Sequence, residues 1–319
     1  MMKLLPKTIS LGIAVCCFCS SLYAQTTSST KPAEEEEQKF SFGNISPVIL
    51  KKDGIEVSTT HDLSSYWITS KFGSRILDRY RVSRFDGNLN VQYGFAHNKR
   101  WDLGAQVKYG RVRLDENSRS SPFKVFSAAD ATSQIYSGVS AVGLRIRTAP
   151  FENNTAFTLQ GSILFPIAKD ELTRTALSMD RIQTDLVGTY FKSLDDNQSL
   201  YLYLQGRYLL QLANKENDRT THFPGLSVLL VKSLFDQTVF LFPGLSYLSA
   251  FQQNYAGGRW SQQSQFLMMS IGAQVQPVTN LSVFINAQRP MIYSAKNNIY
   301  SDLVKNSYSD WAVGVRLVL

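Results

Sequence analysis

From Phe85 to Phe95 the chain alternates: Phe85, Gly87, Leu89, Val91, Tyr93 and Phe95 stand at odd positions, with Asp86, Asn88, Asn90 and Gln92 between them. A repeat of two puts the two sets on opposite faces of a strand. The polar residues 97–100 make a tight connection, after which Trp101, Leu103, Ala105, Val107 and Tyr109 alternate with Asp102, Gly104, Gln106 and Lys108. The two runs predict a long hairpin, apolar on one face and polar on the other. Similar pairs recur at Tyr136–Thr148 with Thr155–Phe165, Ile182–Phe191 with Leu200–Gln211, Phe223–Leu234 with Thr238–Ser249, and Phe266–Gln276 with Leu281–Arg289. A strand at Ile55–Ser70 and a last one at Asp310–Leu319 complete the series.

The connections are unequal. Short ones centre near residues 98, 151, 195, 236 and 278, and long polar ones lie between them. Runs of about ten to thirteen residues suit a tilted bilayer crossing, whereas strands of soluble sandwiches average about five or six. A Lys or Arg on the lipid face at mid-bilayer costs about 2–4 kcal/mol. The apolar faces of the Phe85, Trp101 and Thr155 strands carry no charge, nor does the series Trp311, Val313, Val315, Leu317 and Leu319 of the last strand. Aromatic residues gather near the tight turns, as interfacial girdles do: Phe95 and Trp101, Phe151 and Phe157, Tyr190 and Phe191, Tyr201 and Tyr203. Hydrocarbon offers no hydrogen bonds, so the sheet must close on itself. The expected fold is therefore all-β: a closed, antiparallel, up-and-down transmembrane β-barrel of about twelve strands.

Ahead of the strands, Lys3 and Lys7 precede an apolar stretch from Ile9 to Phe18, and Leu22-Tyr23-Ala24 offers a cleavage site before Gln25. This layout predicts a signal peptide over residues 1–24. Residues 25–54 read as a periplasmic leader: a polar stretch with the acidic run Glu34–Glu37, then the apolar segment Phe40–Leu50, a candidate plug for the barrel. Residues 55–319 form the barrel. The three cysteines, Cys16, Cys17 and Cys19, all fall in the signal segment, so a cleaved chain has no disulfide, thiolate metal site or thiol nucleophile. Charged residues make up 18% of the chain and aromatics 12%, a composition poor in charge that argues against disorder and coiled coil. The formal charge is +8, but Lys and Arg are scattered, so no nucleic-acid partner is expected.

The signal segment ending Ala24-Gln25, the long alternating hairpins and the terminal Trp311–Leu319 strand resemble Gram-negative outer-membrane β-barrels, specifically an uncharacterised family of barrels of this size. The resemblance implies the cell outer membrane as location, and outer-membrane lipids and the barrel-insertion machinery as partners.

The polar faces then become a lumen lining: Asp86, Asn88, Asn90, Gln92, Asp102, Gln106, Lys108, Arg145, Arg147, Gln160, Gln183, Asp185, Gln205 and Arg207. Such a mixed lining suits water and small polar solutes, or a rigid network of internal ion pairs that fills the lumen. One stretch breaks the alternation, because Leu226, Val228, Leu229, Leu230 and Val231, then Val239, Phe240, Leu241, Phe242 and Leu245, are apolar on both faces. Leu226, Val228, Leu230, Phe240 and Phe242 are expected to form an oily wall inside the barrel, with a bulge or gap at Pro243, which cannot donate to a ladder. The basic residues of 71–84 are expected in an outer loop, suited to lipid phosphates. No catalytic residue, metal site or cofactor is assigned: His61, His97 and His222 lack a neighbouring nucleophile motif, and no HExxH, phosphate-loop or calcium-loop pattern occurs. The expected function is porin-like passive passage of a small or amphipathic solute. The alternatives are a non-conducting structural, adhesion or scaffolding barrel and, third, an outer-membrane hydrolase.

Overall fold

In the computed structural model the alternating runs become twelve strands: β1 (Ile55–Phe72), β2 (Arg75–Gly94), β3 (Trp101–Asp115), β4 (Ser133–Thr148), β5 (Phe157–Pro166), β6 (Gln183–Ser193), β7 (Leu200–Gln211), β8 (Thr221–Leu234), β9 (Val239–Gln253), β10 (Trp260–Val278), β11 (Leu281–Ala295) and β12 (Ser309–Val318). The structure describes residues 49–72, 75–96, 100–151, 156–214, 219–253, 260–296 and 305–319. The segment 1–24 and the leader up to Val48 lie outside the described residues, as does His97.

Each strand pairs antiparallel with its neighbours in sequence, and β1 closes on β12 from Glu56↔Val318 to Ser65↔Ser309. Closure leaves no sheet edge, which is what a wall in hydrocarbon requires. Cross-strand partners share a face, so the burial pattern sorts the two sides. Leu103, Leu144, Leu186, Ile271 and Ile285 are 48–67% exposed on the outside, while their alternates Asp102, Arg145, Val187, Ser270 and Asn286 are buried inside. An apolar surface that runs round the whole wall has no counterpart on soluble monomers.

The inner face is packed with the help of glycine. Gly272 is the register partner of Phe242, and Gly314 that of Phe284; a Cβ at either glycine would lie 2.0 or 2.1 Å from the facing ring. The rings lie flat over these glycines, so the interior holds large side chains without widening the barrel.

Two extended connections carry short helices. A 3₁₀ helix, Pro122–Phe126, lies in the β3–β4 connection, and helix α1, Glu171–Ala176, in the β5–β6 connection, where the Asp170 carboxylate caps it by accepting from Thr173 N at 2.7 Å. The basic stretch 75–84 is strand and not loop: β2 begins at Arg75 and pairs with β1 along its length. The reason is physical. Above the hydrocarbon the outward face no longer needs to be apolar, so the alternation fades while the hydrogen-bonded ladder continues.

Candidate functional site

The inner ends of β2, β3 and β4 carry the polar lining. Asn88, Asn90, Gln92, Asp102, Gln106, Arg145, Arg147, Gln160 and Gln183 are all buried on the inner face. Near the short-turn end they form a buried ion network. Arg147 grips Asp102 with Nε at 2.9 Å from Oδ1 and Nη2 at 2.8 Å from Oδ2, and reaches Glu56 Oε2 at 3.3 Å. Arg316 closes the ring on Glu56 Oε2 at 3.1 Å. Arg145 donates to the Gln160 amide oxygen. These groups come from β1, β3, β4, β5 and β12, so one network ties together the strands on either side of the seam.

The described end of the leader meets this network. Leu50 is buried, and its N–H donates to Asp102 Oδ2 at 3.3 Å. Asp53 N donates to Gly94 O at 2.7 Å and Gly94 N to Gly54 O at 2.9 Å, so the chain enters β1 folded across the end of β2. Gly94 permits the crossing, since a Cβ there would sit 2.0 Å from Lys51 O. The rest of the candidate plug, Phe40–Val48, lies outside the described residues.

Higher in the lumen the charges are less buried. Asp185 accepts from Arg207 Nε at 2.9 Å and Nη2 at 2.8 Å. Asp86 is paired with Arg84, and Gln205 donates to Tyr203 Oη at 3.1 Å. Lys108 lies on the same inner face, beside Asn88 in the register. The β5–β6 connection folds into this region. Leu177 packs on Val82 and Val112, and Met179 on Ala141 and Leu164. Arg84 holds it there, donating to Leu177 O and Ser178 Oγ, each at 2.7 Å.

The oily wall differs from expectation. Phe240 and Phe242 are fully buried inside, but Leu226, Val228 and Leu230 are 40%, 39% and 44% exposed on the outer face. Their neighbours Leu229 and Val231 point inward, forming a cluster with Phe191, Tyr201, Tyr203, Phe240 and Phe242. In a run apolar on both faces hydrophobicity carries no parity; Ser227 and Ser233, at odd positions like Leu229 and Val231, were the available signal. The cluster covers itself, opposite the ion network.

Sequence reasoning stopped short at the remaining strands. Glu56, Ser58, Thr60, Ser270, Gln274, Gln276 and Asn286 also line the interior, and their alternation with apolar neighbours marks them. The amide groups of Gln92 and Gln274 are buried with no hydrogen-bond partner among the described residues. Buried amides of that kind are normally satisfied by water or a polar ligand.

At Pro243 the wall is interrupted. The β8–β9 ladder pairs Thr221↔Gln252 and His222↔Phe251, skips Phe223 and Pro224, runs from Gly225↔Leu248 to Leu229↔Gly244, and resumes at Lys232↔Leu241 after skipping the pairs opposite Pro243 and Phe242. Beside it β12 is short: its ladder with β11 stops at Gln288↔Asp310, although β11 continues to Ala295. A cavity of about 910 Å³ lies here. Its lining mixes outward residues (Val228, Leu230, Leu245, Met269, Ile271, Trp311) with inward ones (Gly244, Ser270, Gln288, Tyr308, Asp310). One cavity thus touches both the lipid-facing and the lumen-facing side of the wall.

Of the histidines, His61 and His222 are among the described residues and stand on separate parts of the wall. His61 is on the outer face, its Nδ1 2.9 Å from Tyr109 Oη and Nε2 3.1 Å from Thr59 Oγ1. His222 sits against Tyr208 and Trp260. Neither pairs with a carboxylate among the described residues, and no cluster of metal-ligating side chains occurs among them.

A closed wall, apolar outside and polar inside, defines a membrane-spanning β-barrel. Among solved structures the chain is similar to an outer membrane channel from Pseudomonas putida F1, at 13% identity with a TM-score of 0.54, covering 91% of this chain and 99% of that one. It is also similar to the β domain of the Bordetella autotransporter BrkA, at 10% identity and a TM-score of 0.49 over 83% of this chain and 99% of that one. The KdgM porin follows at 10% identity and a TM-score of 0.39, covering 82% and 98%. No family model matches the chain, and no curated protein matches it in sequence. The chain has the fold of an outer-membrane β-barrel, and its apolar belt suits that membrane.

Proposed function

We propose that the protein is an outer-membrane channel for a small amphipathic solute. The observation that carries this reading is the cavity at Pro243, whose lining is mainly outward apolar residues together with the inward Ser270, Gln288 and Asp310, and which lies beside an interrupted ladder. A solute with an apolar body and a polar head would partition into the bilayer, reach this cavity from the side and place its head toward Ser270, Gln288 and Asp310. The channel from Pseudomonas putida shares the fold, which is compatible with this function.

A second reading, a non-conducting scaffold, has its own support. The Glu56–Arg147–Asp102 network and the apolar cluster of β6–β9 are both buried on the inner face of the wall. The two readings separate in proteoliposomes and planar bilayers. The channel reading expects uptake of an amphipathic probe such as a medium-chain alcohol glycoside, and a loss of that uptake in Ala287→Trp, which fills the cavity from outside, while ion conductance is unchanged. No resolved current steps, no liposome swelling and no probe uptake would leave the scaffold.

A further inference from the structure

The β3–β4 connection does not rise away from the barrel but folds down on its outer wall. Val125 is completely buried there, and the Phe126 ring meets Phe85 edge-on at 5.0 Å, with Phe85 in turn stacked on His61 at 5.6 Å. Arg113 pins the connection by donating to Ala128 O at 2.9 Å and Asp130 Oδ2 at 2.6 Å. Phe123 and Phe126 nonetheless stay 67% and 54% exposed.

The height of this element follows from strand geometry. With a rise of about 3.3 Å per residue and a tilt of about 40°, Phe85 stands about 20 Å above Tyr93, an outward aromatic residue two positions before Phe95 of the border near the short turns. The hydrocarbon belt of such barrels is about 25 Å tall, so Phe85 and Phe126 lie just inside its outer edge. Arg81, four residues further along β2, then lies about 10 Å higher, at the level of lipid headgroups.

Basic residues lie at that level and just below it. Arg81 projects from the outer face, Arg111 does so lower down as the register partner of Phe85, and Lys124 and Arg119 come from the connection. Arg81 donates Nε to Ser118 O at 3.0 Å and Nη1 to Ser65 Oγ at 2.9 Å, and its guanidinium lies 5.7 Å over the Trp67 ring. Arg111 Nη2 donates to Ser127 O at 2.7 Å. Both guanidiniums donate to neutral oxygens; Asp115, the register partner of Arg81, is the carboxylate beside it and is itself engaged by Arg113 at 3.3 Å. Cations that reach from the level of the exposed aromatic rings up to that of Arg81, at the edge of a leaflet, match one kind of ligand.

We propose that this face of β1–β3 binds a phosphorylated glycolipid of the outer leaflet, its phosphate on Arg81, Arg111 and Lys124 and its acyl chains along Phe123 and Phe126. The inference rests on the bilayer orientation and is independent of whether the lumen conducts.

The test uses the full barrel in detergent, with diphosphoryl lipid A, a dephosphorylated lipid A and inorganic pyrophosphate as probes, read by native mass spectrometry. Diphosphoryl lipid A is expected to bind more tightly than the dephosphorylated form, and Arg81→Gln, Arg111→Gln and Lys124→Gln to weaken it about fivefold for each charge removed. Lys232→Gln, at the opposite end of the barrel, should leave binding unchanged. Heat-modifiable gel mobility verifies that each variant is folded, and Arg→Lys variants at 81 and 111 keep the charge where Gln misfolds. Equal binding of both lipids, or unchanged affinity in folded Gln variants, overturns the proposal. Pyrophosphate binding as tightly as the lipid, with Phe123→Ser and Phe126→Ser without effect, would assign the cations to a free phosphate and overturn it as well.

Discussion

Replacing Arg147 by Met is the most informative single change. Arg147 and Asp102 have no exposed side-chain surface, and Glu56 only 3%. Without Arg147, Glu56 keeps Arg316 as partner, but Asp102 loses its paired guanidinium and keeps the Leu50 N–H at 3.3 Å and the attraction of the nearby Arg145. Removing one member of a buried ion network leaves an uncompensated charge and costs about 3–5 kcal/mol. Replacing both sides by apolar groups of similar volume avoids that penalty, so Arg147→Met with Asp102→Leu should lie within about 1–2 kcal/mol of the parent. Urea unfolding in lipid vesicles, followed by tryptophan fluorescence, measures both. The single variant should also release the Leu50 segment, which limited proteolysis near Lys51 and Lys52 would detect. A single variant as stable as the parent, or a double variant as damaged as the single, would refute the network as the element that closes this end.

Three further outcomes are expected. Gly272→Ala forces a Cβ to within 2.0 Å of the Phe242 ring and should lower stability by about 1–3 kcal/mol, with recovery in Gly272→Ala/Phe242→Leu, both read by the same unfolding assay. Arg84→Ala removes the tether on the β5–β6 connection, so protease cleavage within residues 167–182 should rise while the barrel stays heat-modifiable. In the β6–β7 turn, hydrogen bonds from Ser199 Oγ and from the Leu200 and Ser199 amides hold the Asp195 carboxyl below its ordinary value. A depressed folded value means the turn is fully stabilised above the unfolded value near about 4 and loses that stabilisation as pH falls through the folded one. Amide exchange at Leu200 should therefore accelerate below about pH 4 relative to its neighbours, and Asp195→Ala should abolish that step.

How much of this was readable in the sequence depended on what each residue faces. Phe85–Phe95 and Trp101–Tyr109 announce their faces because lipid on one side and a polar lumen on the other demand opposite chemistry at alternate positions. The same demand ends above the bilayer, so Arg75–Arg84 looked like a loop although it is strand. It is also silent where both sides are apolar: Leu226, Val228 and Leu230 could not be told from Leu229 and Val231 by hydropathy, and the register was set by pairing with β7 and β9. Pro243 did foretell a break in the ladder, because a missing N–H is a property of the residue itself. The inward fold of Leu177 and Met179 and the outward fold of Phe126 were invisible, since both depend on partners far away in the chain. The ion network was half legible: Asp102, Arg145 and Arg147 stand on polar faces, but Glu56 and Arg316 meet them only when β1 closes on β12.

The central claim, that the lipid-facing side of the wall is the one carrying Leu226, Val228 and Leu230, is tested most directly by a residue-by-residue scan of β8. Single cysteines placed from 226 to 231 and labelled with a small fluorophore would be challenged with a quencher confined to the acyl-chain region of the vesicles. Strong quenching at 226, 228 and 230 and weak quenching at 227, 229 and 231 is the predicted result. Equal quenching throughout, or the opposite parity, would contradict it.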